Sequence, residues 1–93
     1  MKVENMISNR GNTVANQFII HVENGNLFQS YYSIIAFITF DGQVFLNEDK
    51  WDYSRTTGKY RNNFLGEEKK ETEQKIKDGR YKLISEEEIE AIC

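Results

Sequence analysis

The chain has 93 residues and a formal net charge of −3 with a pI near 5.2, which predicts one small domain and argues against general coating of nucleic acid, because coating needs several cations along the phosphates. The only cysteine, Cys93, excludes a disulfide and a cysteine-built zinc site. No apolar run reaches the roughly 18 residues of a membrane span, so we expect a soluble, cytoplasmic protein with no membrane partner.

Residues 1–15 are polar, contain the turn-prone segment Asn9 to Asn12, and show no sustained hydrophobic period. They predict a polar N-terminal arm or a short edge strand. Residues 16–93 contain no proline and no low-complexity linker, and we expect them to form a single α+β domain.

A β-hairpin is predicted first. Residues 17–22 are aromatic and β-branched, and the dipeptide Asn24-Gly25 that follows favours a two-residue hairpin loop. A loop at Asn24 and Gly25 predicts the strand pairs Val22–Leu27, Ile20–Gln29 and Phe18–Tyr31.

The most continuously apolar run, residues 34–40, predicts a central strand, and Asp41-Gly42 predicts a turn that returns the chain through residues 44–46. Between residues 30 and 33 two alternatives stay open: one long bent strand, or two strands that meet at a tight corner. The predicted fold class is α+β: an antiparallel β-meander of three to five strands with two or three short helices packed on one face.

Helical spacing begins after Asn47. Thr57, Tyr60 and Phe64 recur on one side of a predicted helix, and Arg55 and Lys59 lie one turn apart on another side. The aromatic side is expected to face the sheet and the cations to face outward.

Certain residues predict where the helices begin and end. Gly58 disfavours a helix interior, so Thr56 or Thr57 is the expected N-cap, and Gly66 suits the C-terminal end. A second, mostly solvated helix is predicted over residues 67–78. A short strand over residues 81–84 follows, and then a capping box that Ser85 and Glu88 open for a last helical turn.

The sequence offers few of the residue combinations that enzymatic catalysis usually requires. The single histidine, His21, lies in the middle of a predicted strand and is interpreted as an ordinary sheet residue. The glutamates occur in charge runs typical of solvated helix faces. We therefore expect no catalytic residue, no metal and no cofactor, and we predict that the protein is not an enzyme.

The candidate binding segment is residues 51–66. It combines large aromatics and hydroxyls with three cations, and no acid lies between Tyr53 and Gly66. Hydroxyls and amides at a helix start, flanked by cations, can receive an anion, although the threonines can equally be caps and the aromatics can equally be core. The predicted binding residues are Tyr53, Ser54, Arg55, Thr56, Thr57, Lys59 and Arg61.

Several stretches carry a resemblance to a known group of proteins. They are residues 8–12, 15–20, 28–31 and 34–36, and above all the motif W-D-Y-S-x-T-T-G-K-Y-R-x-x-F-L at residues 51–65. The chain resembles, from about Ser8 to Ile84, a small uncharacterised domain encoded by bacteriophages and prophages of low-GC Gram-positive bacteria. The resemblance implies a phage origin and the cytoplasm of the bacterial host, and no activity. The acidic tail, residues 85–93, lies outside it.

Three functions stay open from the sequence. The first is a non-enzymatic phage accessory protein that binds a host or phage protein, by analogy an anti-CRISPR-like inhibitor of host defence; either the acidic helices would imitate phosphates or the Arg55–Arg61 surface would make the contact. The second is a nucleic-acid-binding module in which cations contact phosphates and Tyr53 or Tyr31 stacks on bases. The third is a receptor for a small phosphorylated ligand. A homodimer is compatible with each.

Overall fold

The computed structural model describes all 93 residues and contains one six-stranded mixed sheet with three helices. Its strands lie in the order β1-β2-β3-β4-β5-β6. The elements are β1 (Lys2–Ile7), β2 (Thr13–Val22), β3 (Gly25–Ser30), β4 (Ser33–Thr39), β5 (Val44–Asn47), α1 (Arg55–Leu65), α2 (Lys69–Lys77), β6 (Tyr81–Ile84) and α3 (Glu86–Ile92).

The predicted α+β class is confirmed, and the predicted antiparallel meander of three to five strands describes only part of the sheet. β1 to β5 pair antiparallel in sequence order, whereas β6 lies parallel to β5. A parallel neighbour needs a long crossover connection, and α1 with α2 supplies it. The sheet is therefore mixed because two helices separate its last two strands.

The N-terminal segment contains β1, so the edge-strand alternative describes residues 2–7. β1 pairs with β2 from Lys2 opposite His21 to Ile7 opposite Thr13, with an irregularity after Asn5. Met6 is buried in the core. None of the three helices has the length and apolar composition that crossing a membrane requires.

The register of the β2–β3 hairpin differs by two residues from the predicted one. Val22 pairs with Gly25 and Ile20 with Leu27, so the loop is Glu23-Asn24 and the predicted pairs Val22–Leu27, Ile20–Gln29 and Phe18–Tyr31 are wrong. Gly25 is needed inside the strand instead, because a Cβ there would lie 2.1 Å from the backbone oxygen of Ile38 on β4. A shift of two keeps every side chain on its predicted face.

Strands β3 and β4 meet at a tight corner rather than forming one bent strand. Ser30 pairs with Ser33, which leaves Tyr31 and Tyr32 as the loop. Tyr31 has a φ of 56°, a left-handed conformation that Gly and Asn adopt more readily than a bulky side chain. This corner places two tyrosines at one end of the sheet.

The helices cover both faces of the sheet, and the prediction that they pack on one face is wrong. On one face, α1 and α2 pack over Phe28, Ala36 and Leu46 through residues that include Tyr60, Phe64 and Ile76. On the other face, Ile89 of α3 is fully buried against Leu27 and Phe37. Both faces of β3 and β4 are apolar, so each needs a cover, and the acidic tail supplies the second one.

The close approach of Gly25 to β4 generates a prediction. Gly25→Ala should lower the free energy of unfolding by about 3 kcal/mol, the upper end of ordinary overpacking costs, because its Cβ would meet backbone atoms at 2.1 and 2.8 Å. Gly42→Ala is the matched control: it has open space but a φ of 94°, and should cost only about 1–2 kcal/mol. Urea unfolding measures both variants, and equal losses would contradict the steric argument.

Candidate functional site

Helix α1 begins at a chain of hydrogen-bonded hydroxyls, of which those of Ser30 and Thr57 are fully buried. Ser54 is its N-cap, and the Ser54 hydroxyl accepts from the backbone N–H of Thr57 at 3.1 Å. The Thr57 hydroxyl lies 2.9 Å from the hydroxyls of both Ser54 and Ser30. The prediction that Thr56 or Thr57 caps the helix is therefore wrong, because Thr57 is fully buried and joins the start of α1 to the end of β3.

Gly58 lies inside α1 and is buried. A Cβ there would meet Asp52 Oδ1 at 3.5 Å and the Arg61 guanidinium at 3.8 Å, which are ordinary contact distances. The helix thus starts a turn earlier than the glycine suggested, and Gly66 ends it with a φ of 71°, as predicted.

Arg61 is the largest fully buried side chain of the protein, with 1% of its surface exposed. Its Nη1 donates to the backbone oxygen of Trp51 and to Asp52 Oδ1, each at 2.8 Å, and its Nη2 donates to Asn62 Oδ1 at 2.9 Å. The guanidinium also lies 5.1 Å from the Trp51 ring centroid. The predicted outward orientation is therefore wrong for Arg61, which is an internal ion-pair residue.

Asp52 neutralises two cations at once. It pairs with Arg61 and, through Oδ2, with Lys69 Nζ at 2.7 Å. Partial burial raises the pKa of the Asp52 carboxyl, but the hydrogen bonds from Lys69 and Arg61 outweigh this effect and hold the pKa below its usual value. The acid missing between Tyr53 and Gly66 is thus supplied by the residue immediately before Tyr53.

Four of the predicted binding residues do face solvent: Tyr53, Arg55, Thr56 and Lys59 are exposed. Arg55 and Lys59 enter no ion pair within the chain. Lys59 Nζ lies 5.3 Å from the Tyr60 ring centroid, while Tyr60 itself is buried. The outer side of α1 therefore carries two cations that the protein leaves without a counter-charge.

The corner between β3 and β4 lies beside this part of α1. On one side of the corner Ser30 contacts Thr57, and on the other Ser33 accepts from Lys50 Nζ at 2.8 Å. Lys50 Nζ in turn lies 6.0 Å from the Tyr53 ring centroid. We call the resulting group the tyrosine–cation surface; it consists of half-buried Lys50 and of the exposed residues Tyr31, Tyr32, Tyr53, Arg55 and Lys59.

The other aromatic residues of the segment pack rather than bind. Tyr60 and Phe64 belong to the core beneath α1, and the rings of Phe64 and Phe28 are 5.7 Å apart. His21 lies between Glu4 and Asn26, at 3.2 and 2.8 Å, within the sheet. The sequence did not single out Tyr32 or Lys50, although the adjacent tyrosines at a chain reversal without Gly, Pro, Asn or Asp were a usable signal.

The two cavities of the protein lie away from the tyrosine–cation surface. The larger, of about 620 Å³, is lined by Ile7 and Asn9 beside the β1–β2 turn and, at the junction of α1 and α2, by Asn62, Asn63, Gly66, Glu67, Glu68 and Glu71. The smaller, of about 430 Å³, is lined by Phe40 and Ile92, among others. The tyrosine–cation surface is thus an open surface rather than a pocket.

Comparison with known proteins identified one family. The model described as "Family of unknown function (DUF8033)" matches residues 1–80, which include β1 to α2 and leave out β6 and α3. Searches of the curated proteins and of the solved structures found no match.

The buried Arg61–Asp52 pair generates a prediction. Asp52→Asn should lower the free energy of unfolding at pH 7 by about 3 kcal/mol, because a fully buried guanidinium would lose its counter-charge. Because the pKa of Asp52 is lowered in the folded protein, the pair stabilises the fold fully at pH values above the usual aspartate pKa of about 4. This stabilisation is lost as the pH falls through the lowered pKa. The difference between wild type and variant should therefore shrink below about pH 4.

The matched control is Asp78→Asn. Asp78 also has a lowered pKa, owing first to its hydrogen bond from the Arg80 side chain, but that pair is exposed and screened by solvent, so it should stabilise the fold much less than the buried pair. Urea unfolding from pH 3 to pH 7 measures both variants. If Asp52→Asn were as stable as wild type at pH 7, Arg61 would not depend on this carboxylate.

Proposed function

Because the chain belongs to DUF8033, a family of unknown function, we propose a function from the exposed chemistry of the site. The protein is a non-enzymatic accessory protein of a bacteriophage or prophage. It works in the cytoplasm of the bacterial host, where it binds a macromolecular partner through the tyrosine–cation surface. The phage origin rests on the resemblance of the 51–65 motif, and the binding role rests on this surface.

A single observation carries the binding role. Tyr31, Tyr32 and Tyr53 are 44%, 95% and 46% exposed, next to two cations that have no internal counter-charge. Tyrosine and arginine are the residue types that dominate binding energy at macromolecular interfaces, and the exposed parts of these tyrosines gain nothing for folding. An open surface of this kind suits a large partner better than a small phosphorylated ligand, which usually occupies a concave site.

The acidic helices are less suited to imitate nucleic-acid phosphates. On α2, Lys69 and Lys75 pair with acids, and Lys70 and Lys77 are exposed, so its surface carries both signs. On α3, Glu88 closes the capping box and Glu86 accepts from Asn47. These internal contacts favour the tyrosine–cation surface, rather than acidic helices that imitate phosphates, as the region that contacts the partner.

Inhibition of a host defence nuclease, in the manner of anti-CRISPR proteins, is one form of this role. It predicts that the wild-type protein restores plasmid transformation in cells whose CRISPR system targets that plasmid. Arg55→Ala/Lys59→Ala should abolish this protection. Lys70→Ala/Lys77→Ala removes the same charge from α2 and should retain it. Failure of the wild-type protein to protect would remove this form of the role and leave the binding surface itself untouched.

Photo-crosslinking tests the binding surface directly. With p-benzoylphenylalanine at position 53 or 32, irradiation in a low-GC Gram-positive host should give crosslinked macromolecules, because the partner covers these rings. Phe40 is the matched control position, since it is an exposed aromatic beyond the other end of β4, 73% exposed. The products at position 53 should disappear with Arg55→Ala/Lys59→Ala. Crosslinking at position 53 no stronger than at position 40 would overturn the proposed function.

A further inference from the structure

We infer that the partner of the tyrosine–cation surface is a single-stranded nucleic acid. This inference rests on the proposed function and names the chemical class of its partner. It follows from three properties of the surface: rings that are free to stack, charge of one sign, and an open shape.

The corner that exposes Tyr31 and Tyr32 has an unfavourable backbone conformation. Tyr31 adopts a φ of 56°, a left-handed conformation that is unfavourable for a non-glycine residue. Its neighbour Tyr32 is 95% exposed and therefore contributes almost no packing. A position with this conformation is ordinarily filled by Gly or Asn, so the needs of the turn do not explain the tyrosine pair, which leaves Tyr32 almost fully and Tyr31 to 44% in solvent.

The three charged side chains of the tyrosine–cation surface, Lys50, Arg55 and Lys59, are all cations. Arg55 and Lys59 have no ion pair, and Lys50 Nζ has a hydroxyl, that of Ser33, as its hydrogen-bond partner. Arg55 and Lys59 lie about 6 Å apart along α1. None of the six residues of the surface is an acid. Cations interleaved with aromatic rings are the combination by which proteins bind single strands, the cations at phosphates and the rings against bases.

Single strands are favoured over duplexes because of what a ring can reach. In a duplex the base faces are covered by neighbouring base pairs, so a tyrosine can stack only on an unpaired base. The chain as a whole is acidic, with 15 Asp and Glu against 12 Lys and Arg, and would repel a long duplex lying across it. The contact is therefore short, involving a few nucleotides around the β3–β4 corner and the start of α1.

Fluorescence anisotropy with a labelled 20-nucleotide oligo(dT), an oligo(U) of the same length and a 20-base-pair DNA duplex tests the inference with the full chain. At 50 mM salt both single strands should bind at least tenfold more tightly than the duplex. Tyr32→Ala should weaken single-strand binding about tenfold or more, whereas Tyr32→Phe, which keeps the ring, should retain the affinity. Phe40→Ala is the matched aromatic control and should leave binding unchanged.

The cations are tested by the salt dependence. Arg55→Ala/Lys59→Ala should reduce the slope of log affinity against log salt by about 1.4, the value for two fewer phosphate contacts on a single strand. Lys70→Ala/Lys77→Ala should leave the slope unchanged. Because all these side chains are exposed, each variant should keep the wild-type melting temperature.

Two results would overturn the inference: no binding of either single strand at 50 mM salt, or binding of the duplex as tight as that of the single strands. Either result together with protein crosslinks at position 53 would leave the proposed function standing with a protein partner. Absence of both oligonucleotide binding and crosslinking at position 53 would remove the proposed function as well.

Discussion

The buried hydroxyl of Thr57 is the contact on which the candidate site depends. It lies 2.9 Å from Ser30 at the end of β3 and 2.9 Å from the N-cap Ser54, so one side chain joins the sheet to the start of α1. A buried hydroxyl is costly unless it is hydrogen-bonded, and here the two neighbouring serines satisfy it. Because Ser30 immediately precedes Tyr31, this contact also holds the exposed tyrosines beside the exposed cations.

A second interaction distinguishes the buried Arg61 from the exposed cations Arg55 and Lys59. Asp52 binds Arg61 and Lys69, and the guanidinium of Arg61 also donates to the backbone oxygen of Trp51 before the helix. Asp52 supplies the counter-charge that makes this burial tolerable, and acceptors surround Nη1 and Nη2, whereas the buried Nε of Arg61 has no hydrogen-bond partner. Residues 55–61 therefore contain one arginine that is neutralised inside the fold and two cations, Arg55 and Lys59, that have no ion pair within the chain.

The sequence predicted the features that depend on local chemistry. The strand over residues 81–84, the capping box at Ser85 and Glu88, the end of α1 at Gly66 and the central strand all follow from propensity, capping or period. It did not predict features that depend on distant residues. Gly25 looked like a turn residue because its close neighbour Ile38 lies 13 positions along the chain, and Arg61 looked like a surface cation because the role of Asp52 is visible only in three dimensions. The sequence also did not predict that Ile89 of the acidic tail covers the second face of the sheet.

The proposed site requires that the β3–β4 corner lies beside the start of α1, and paramagnetic relaxation enhancement measures this proximity directly. A nitroxide is attached at Tyr32→Cys in a Cys93→Ser background, and the loss of backbone amide signals is read along the chain. Strong losses are expected from Tyr53 to Thr56 and weak ones at Gly42 and Gln43, at the opposite end of the sheet. Losses at Tyr53 to Thr56 no greater than those at Gly42 and Gln43 would contradict this proximity.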